Sequence, residues 1–136
     1  MRKTVFCGVL ALLALAGCGG AARDSATQFQ GEEAKVAAVI EQIEKAARED
    51  KADVVCERLL TQARLALVKK LGTNCKTGVK DAFKDADSFD ITVDDITVKG
   101  TAATAKVTSG RGSDKKSDTL ELKREGAAWK VDSLAS

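Results

Sequence analysis

Thiols and carboxylates are the reactive side chains of this chain, which has four Cys and 20 Asp plus Glu but neither His nor Tyr. A thiol can serve as nucleophile, acylation site, metal ligand or half of a disulfide. Cys7 and Cys18 lie in an apolar N-terminal stretch, whereas Cys56 and Cys75 lie in a charged body. A zinc site at the second pair would need two thiolates completed by carboxylates, with no His and no Cys-x-x-Cys spacing, a poor match to structural zinc sites. The carboxylates lack the partners that proton transfer requires. Asp90, Asp94 or Asp95 could turn one acid inward, yet an acid with no His or Tyr beside it is a weak catalyst. Asp94-Asp95 also falls where an alternating pattern slips phase, the usual place of a solvated bulge. Gly110-Arg111-Gly112 has no following helix and reads as a turn, not a phosphate loop.

Cys18 stands in a more telling context. Arg2 and Lys3 precede an apolar stretch from Val5 to Leu15, which is too short to span a bilayer and ends in Leu15-Ala16-Gly17-Cys18. All four positions resemble the lipobox of a bacterial lipoprotein signal. The resemblance implies cleavage ahead of Cys18 and acyl groups such as palmitate on its thiol. Residues 1–17 would then be a signal peptide, and the protein would be anchored at the extracytoplasmic face of a cell membrane. Gly19 to Gly31 is small and polar apart from Phe29, so residues 18–31 read as the lipidated Cys and a flexible tether, with residues 32–136 as one domain. No later segment approaches the ~20 apolar residues of a spanning helix.

Removing residues 1–17 leaves 119 residues carrying 20 basic and 20 acidic side chains. A neutral body gives no electrostatic reason to expect nucleic acid, and the pairs Lys115-Lys116 and Lys123-Arg124 read as solvated strand positions. Export to an oxidising compartment, with Cys7 discarded and Cys18 acylated, favours a disulfide between Cys56 and Cys75 over a metal or redox site. Closing a loop of about 20 residues in this way stabilises by roughly 3 kcal/mol.

The elements that would position these groups follow from periodicity. Val36, Val39, Ile40, Ile43 and Ala47 recur at steps of three and four, predicting a helix from Glu32 to about Arg48. Asp50 is placed to cap a second helix through Val54, Val55, Cys56, Leu59 and Leu60, and Thr61 to cap its continuation through Leu65, Val68 and Leu71, with Gly72 as the stop. Thr73 or Asn74 then offers an N-cap for a short helix with Cys75, Val79, Ala82 and Phe83. After Asp87 the period changes to two. Phe89, Ile91 and Val93, then Ile96 and Val98 after the phase slip, predict a curved strand; Ala103, Ala105 and Val107, then Leu120 and Leu122, then Trp129 and Val131 predict three more. The fold class is therefore α+β, with N-terminal helices on a curved four-stranded antiparallel sheet.

Helices followed by a bent meander that closes on Leu120-Glu121-Leu122, Gly126 and Trp129-Lys130-Val131 resemble the NTF2-like, or cystatin-like cone, superfamily. Together with the lipobox and the internal cysteine pair, the pattern resembles small actinobacterial NTF2-like lipoproteins. The resemblance implies helices over the concave face of the sheet and a cone-shaped cavity. The side chains expected to face it are Val39, Ile43, Leu59, Phe83, Phe89, Ile91, Leu122 and Trp129, each on the inward face of its own pattern. Trp129 has two readings, filling the core or stacking on a ligand. Enzymes of the superfamily pair Asp with His or Tyr, which this chain cannot do. The expectation is a non-catalytic domain without metal or cofactor, binding an apolar or amphipathic small molecule or an envelope partner. The alternatives are a pure protein-interaction module, with homodimer pairing through the sheet, and, less favoured, an isomerase or hydrolase.

Overall fold

The computed structural model describes residues 25–84, 90–110 and 112–135. The first long helix, α1 (Gly31–Arg48), follows the apolar stripe, burying Val36, Ala37, Val39, Ile40 and Ala46. Glu32 and Glu33 in its first turn and Lys45 and Arg48 in its last complement the helix dipole. Asp50 does not cap a following helix, contrary to expectation. It takes φ +52°, and its N–H donates to Ala47 O (3.2 Å) while that of Lys51 donates to Ala46 O (2.8 Å). These are the two bonds of a left-handed C-terminal cap, a conformation Asp tolerates better than most L residues.

A short helix α2 (Ala52–Val54) widens into a π-helical turn, Val55–Leu59, where the Leu60 N–H reaches back five residues to Val55 O (3.1 Å). The expected continuation through Leu60 does not form. Leu60 is extended and bridges in parallel with Val131, so the chain resumes helix only with α3 (Gln62–Lys70). Thr61 is its N-cap, accepting from the Arg64 N–H at 3.1 Å. Gly72, at φ +75°, ends α3 with the same bond pair as at Asp50, here from Gly72 to Lys69 O (3.0 Å) and from Thr73 to Val68 O (3.3 Å). Asn74 Oδ1 then accepts from the Lys76 N–H (2.9 Å) and opens α4 (Cys75–Lys84).

Four strands, β1 (Ile91–Lys99), β2 (Ala102–Ser109), β3 (Lys116–Glu125) and β4 (Ala128–Ala135), form one antiparallel meander in sequence order. Two bulges bend it. The pairing steps from Val93 to Asp95 on β1, leaving Asp94 extra, and from Val131 to Ser133 on β4, leaving Asp132 extra. Asp94 is exposed and accepts from the Thr108 hydroxyl (2.7 Å), so the phase slip is a solvated bulge. One face of the sheet buries Val93, Ile96, Ala103, Ala105, Val107, Leu120, Leu122, Trp129 and Val131 in a common core with the helices.

The end of the segment read as tether also packs on the domain: Gln28 Nε2 donates to Val93 O (3.0 Å), and Phe29 is half-buried against the core. The architecture is α+β, with four α-helices among the described residues preceding an open four-stranded sheet. Among the described residues, no helix is long and apolar enough to cross a membrane.

Candidate functional site

The concave face of the sheet is covered unevenly. Beneath α1 it is filled: Val36, Ile40, Leu122 and Trp129 are buried together. Trp129 is 3% exposed; its Nε1 donates to Glu32 on α1 (2.8 Å), and the Arg124 guanidinium lies 5.8 Å from the ring centroid and 3.2 Å from the same carboxylate. Hydrogen bonds from Lys35 and Trp129, with the charge of Arg124, hold the Glu32 carboxyl below the usual glutamate range. Trp129 therefore packs as a core residue with its indole N–H satisfied.

Beneath α3 and α4 the sheet is not filled. A cavity of about 440 Å³ lies there, with Val55, Leu60, Leu120 and Val131 on the core side and Val68, Leu71, Val79 and Phe83 on the helical side. The Cys56–Cys75 disulfide forms, with Cα atoms 6.1 Å apart, and Cys75 itself lines the cavity. Neither α3 nor α4 has a fully buried residue, so these helices roof the space without filling it. The lining is apolar except for Arg64, Thr73 and Ser133, and it includes no carboxylate. Its volume falls in the range of small-molecule sites.

The roof is fixed at one end by a buried polar junction. Thr61 is 1% exposed; its N–H donates to Val131 O (2.9 Å) and its hydroxyl donates to Asp132 Oδ1 (2.7 Å). Asp132 also meets Lys123 Nζ at 2.6 Å, and these two hydrogen bonds, that from Lys123 first, hold its carboxyl below the usual aspartate range. The Gln62 N–H donates to Glu125 (2.9 Å), so the start of α3 is tied to both β3 and β4. The β4 bulge is what leaves Asp132 as the unmatched residue of the ladder beside Thr61.

Of the residues expected to face the cone, Ile43 and Phe83 line this cavity. Val39, Leu59, Leu122 and Trp129 are buried in the core, and Ile91 is half-buried against it. Phe89 and Cys18 lie outside the described residues. Leu60, Val68, Leu71 and Val79 line the cavity without having been assigned to it from sequence. Their signal was the apolar stripe of each short helix, which does not say whether a stripe is covered or left facing a void. Among the described residues no cluster of His, Cys, Asp and Glu is suited to a metal ion.

No family model and no curated protein matches the chain. Solved structures do. A SEC-C motif containing protein from Rhodopseudomonas palustris superimposes with a TM-score of 0.61 at 14% identity, over 84% of this chain and 81% of that one. A de novo designed NTF2 fold protein superimposes with a TM-score of 0.50 at 10% identity, over 77% of this chain and 85% of the design. The fold is NTF2-like. At such identities the likeness concerns the NTF2-like backbone, and function has to be argued from the cavity.

Proposed function

We propose that this chain is a membrane-anchored extracytoplasmic lipoprotein whose NTF2-like domain binds an apolar or amphipathic small molecule, without catalysis, in the cavity beneath α3 and α4. The observation that carries the ligand reading is the cavity itself: about 440 Å³ against the sheet, walled by aliphatic and aromatic side chains and roofed by two helices with no fully buried residue. The lining supports binding over chemistry. Thr73 and Ser133 are its hydroxyls and Arg64 its charged group, a set with no general base. Pairing through the sheet finds less support, because the exposed large apolar side chains among the described residues are Leu67 and Leu71, both on or next to α3.

Two experiments test the reading. The full chain purified from its own envelope should yield a bound apolar compound on solvent extraction and mass spectrometry, and Val79→Trp, which fills the cavity, should lose it. Equal recovery from both proteins, or none from either, would sink the ligand reading. Anchoring rests on Leu15-Ala16-Gly17-Cys18. Metabolic labelling with an alkyne fatty acid should mark the wild type and not Cys18→Ala, and label persisting on the variant would remove the lipoprotein reading.

A further inference from the structure

The charge of this molecule is segregated along its chain. The segment Gln62–Lys84, comprising α3, the Gly72 turn and α4, carries six basic side chains and one acidic, Asp81, while residues 18–61 and 85–136 carry 14 basic and 19 acidic. Lys76 meets Glu57 (3.1 Å) and Lys84 meets Asp81 (3.4 Å). Among the described residues, Arg64, Lys69, Lys70 and Lys80 have no carboxylate within ion-pair distance. Among the described residues the exposed large apolar side chains lie on the same hairpin: Leu71 at the end of α3 is 72% exposed and Leu67, one turn before it, is 43% exposed. Leu71 also lines the cavity, so the cavity opens where Leu71 stands.

From this juxtaposition we infer that the α3–α4 hairpin is a docking surface for an anionic lipid bilayer. The lysines face the headgroups, Leu67 and Leu71 enter the interface, and the cavity mouth is turned towards the lipid. Each part has a physical role. A basic surface near anionic headgroups is attracted within a Debye length, roughly fivefold in partitioning per lysine. Exposed leucines beside that charge gain by leaving water, which separates an interfacial element from an ordinary solvated one. The acidic remainder is repelled by the same surface, which leaves one orientation. A nucleic acid would match the lysines but give Leu71 nothing to enter, and an acidic protein is an outcome of the test below. Docking through this face requires neither a particular occupant of the cavity nor processing of residues 1–17.

A reporter in the hairpin tests it. The full chain carrying Leu71→Trp, with far-UV circular dichroism and the disulfide checked against wild type, is mixed with phosphatidylcholine vesicles or with phosphatidylglycerol-rich vesicles, each with and without brominated acyl chains. Trp129 is buried and gives a constant background. The expected result is a blue shift and bromine quenching in the phosphatidylglycerol-rich vesicles, reversed by high salt. Lys69→Gln/Lys70→Gln on the same background should weaken docking about twenty-five-fold, following the fivefold factor per lysine. An unchanged spectrum, equal quenching in both vesicle types, or a shift produced only by added nucleic acid or acidic polypeptide would each overturn the inference. A Glu44→Gln control on α1, far along the chain from the hairpin, should leave the quenching unaltered.

Discussion

α1 and α3 lie over the same sheet and meet opposite fates. α1 has 18 residues and sinks five of them into the core. α3 has nine, buries none completely, and depends on its ends: a buried threonine cap at one and, beyond the Gly72 turn, a disulfide at the other. The first helix is held by area removed from water along its length, the second by two point attachments with a cavity between them. A void under a helix survives when the helix is fixed by something other than the contacts the void lacks. The part of the molecule that is cheapest to open is thus also the part above the candidate ligand site.

Core truncation should break the packed half most severely. Ile40, 1% exposed at the α1–sheet contact, is expected to cost about 2–5 kcal/mol as Ile40→Ala, read as a lower denaturant midpoint at unchanged slope. Reduction of Cys56–Cys75 should act on the other half. Loss of a loop closed across 19 residues costs about 3 kcal/mol, and hydrogen exchange should quicken in α3 and α4 before α1 and the sheet. Uniform acceleration across both halves would erase the distinction between them. Thr61→Ala removes a cap and a buried hydroxyl at once and should cost about 1–2 kcal/mol, with added exchange confined to the first turn of α3.

Acid should loosen the same junction. The Asp132 carboxyl titrates below its unfolded value, so its stabilisation is complete above the usual aspartate range and fades as the pH falls through the lowered folded value. A thermal midpoint followed downwards in pH should fall there, and Asp132→Asn should flatten that part of the curve; an unaltered slope would detach Asp132 from the stability of α3. The smallest effect belongs to Leu71→Ser, expected within about 0.5 kcal/mol of wild type because the side chain is mostly in water already. A loss as large as that of Ile40→Ala would mean that α3 is packed after all.

Where sequence reasoning succeeded, the information was local. The stripe of α1, the alternation of the four strands, the phase slip at Asp94-Asp95, the Thr61 cap and the Gly72 stop each need only a few neighbouring residues to be read, and of Thr73 and Asn74 the structure selects Asn74. The Cys56–Cys75 pairing followed from counting thiols. Asp50 was misread because Asp favours both an N-cap and a left-handed C-cap, and the choice between them was made by the bonds back to Ala46 and Ala47. Leu60 was misread because its apolar character suits either a helix face or a bridge to Val131, 71 residues on.

The sequence by itself determined the span of α1, the alternation of the strands, which two thiols pair and the bend at Asp94, because those depend on side-chain period, capping chemistry and composition. It also carried six cations within one short stretch. Only the tertiary structure decided that Leu122 and Trp129 would be enclosed on all sides while Leu120 and Val131, buried in the same core, would also wall a cavity, since all four sit on one face of one sheet and the period alone does not tell them apart. The bulge at Asp132 was decided there too, where register across β3 and β4 brings the acid to Thr61 and Lys123. Period tells a side chain which way to point; what it meets depends on the distance over which another part of the chain returns.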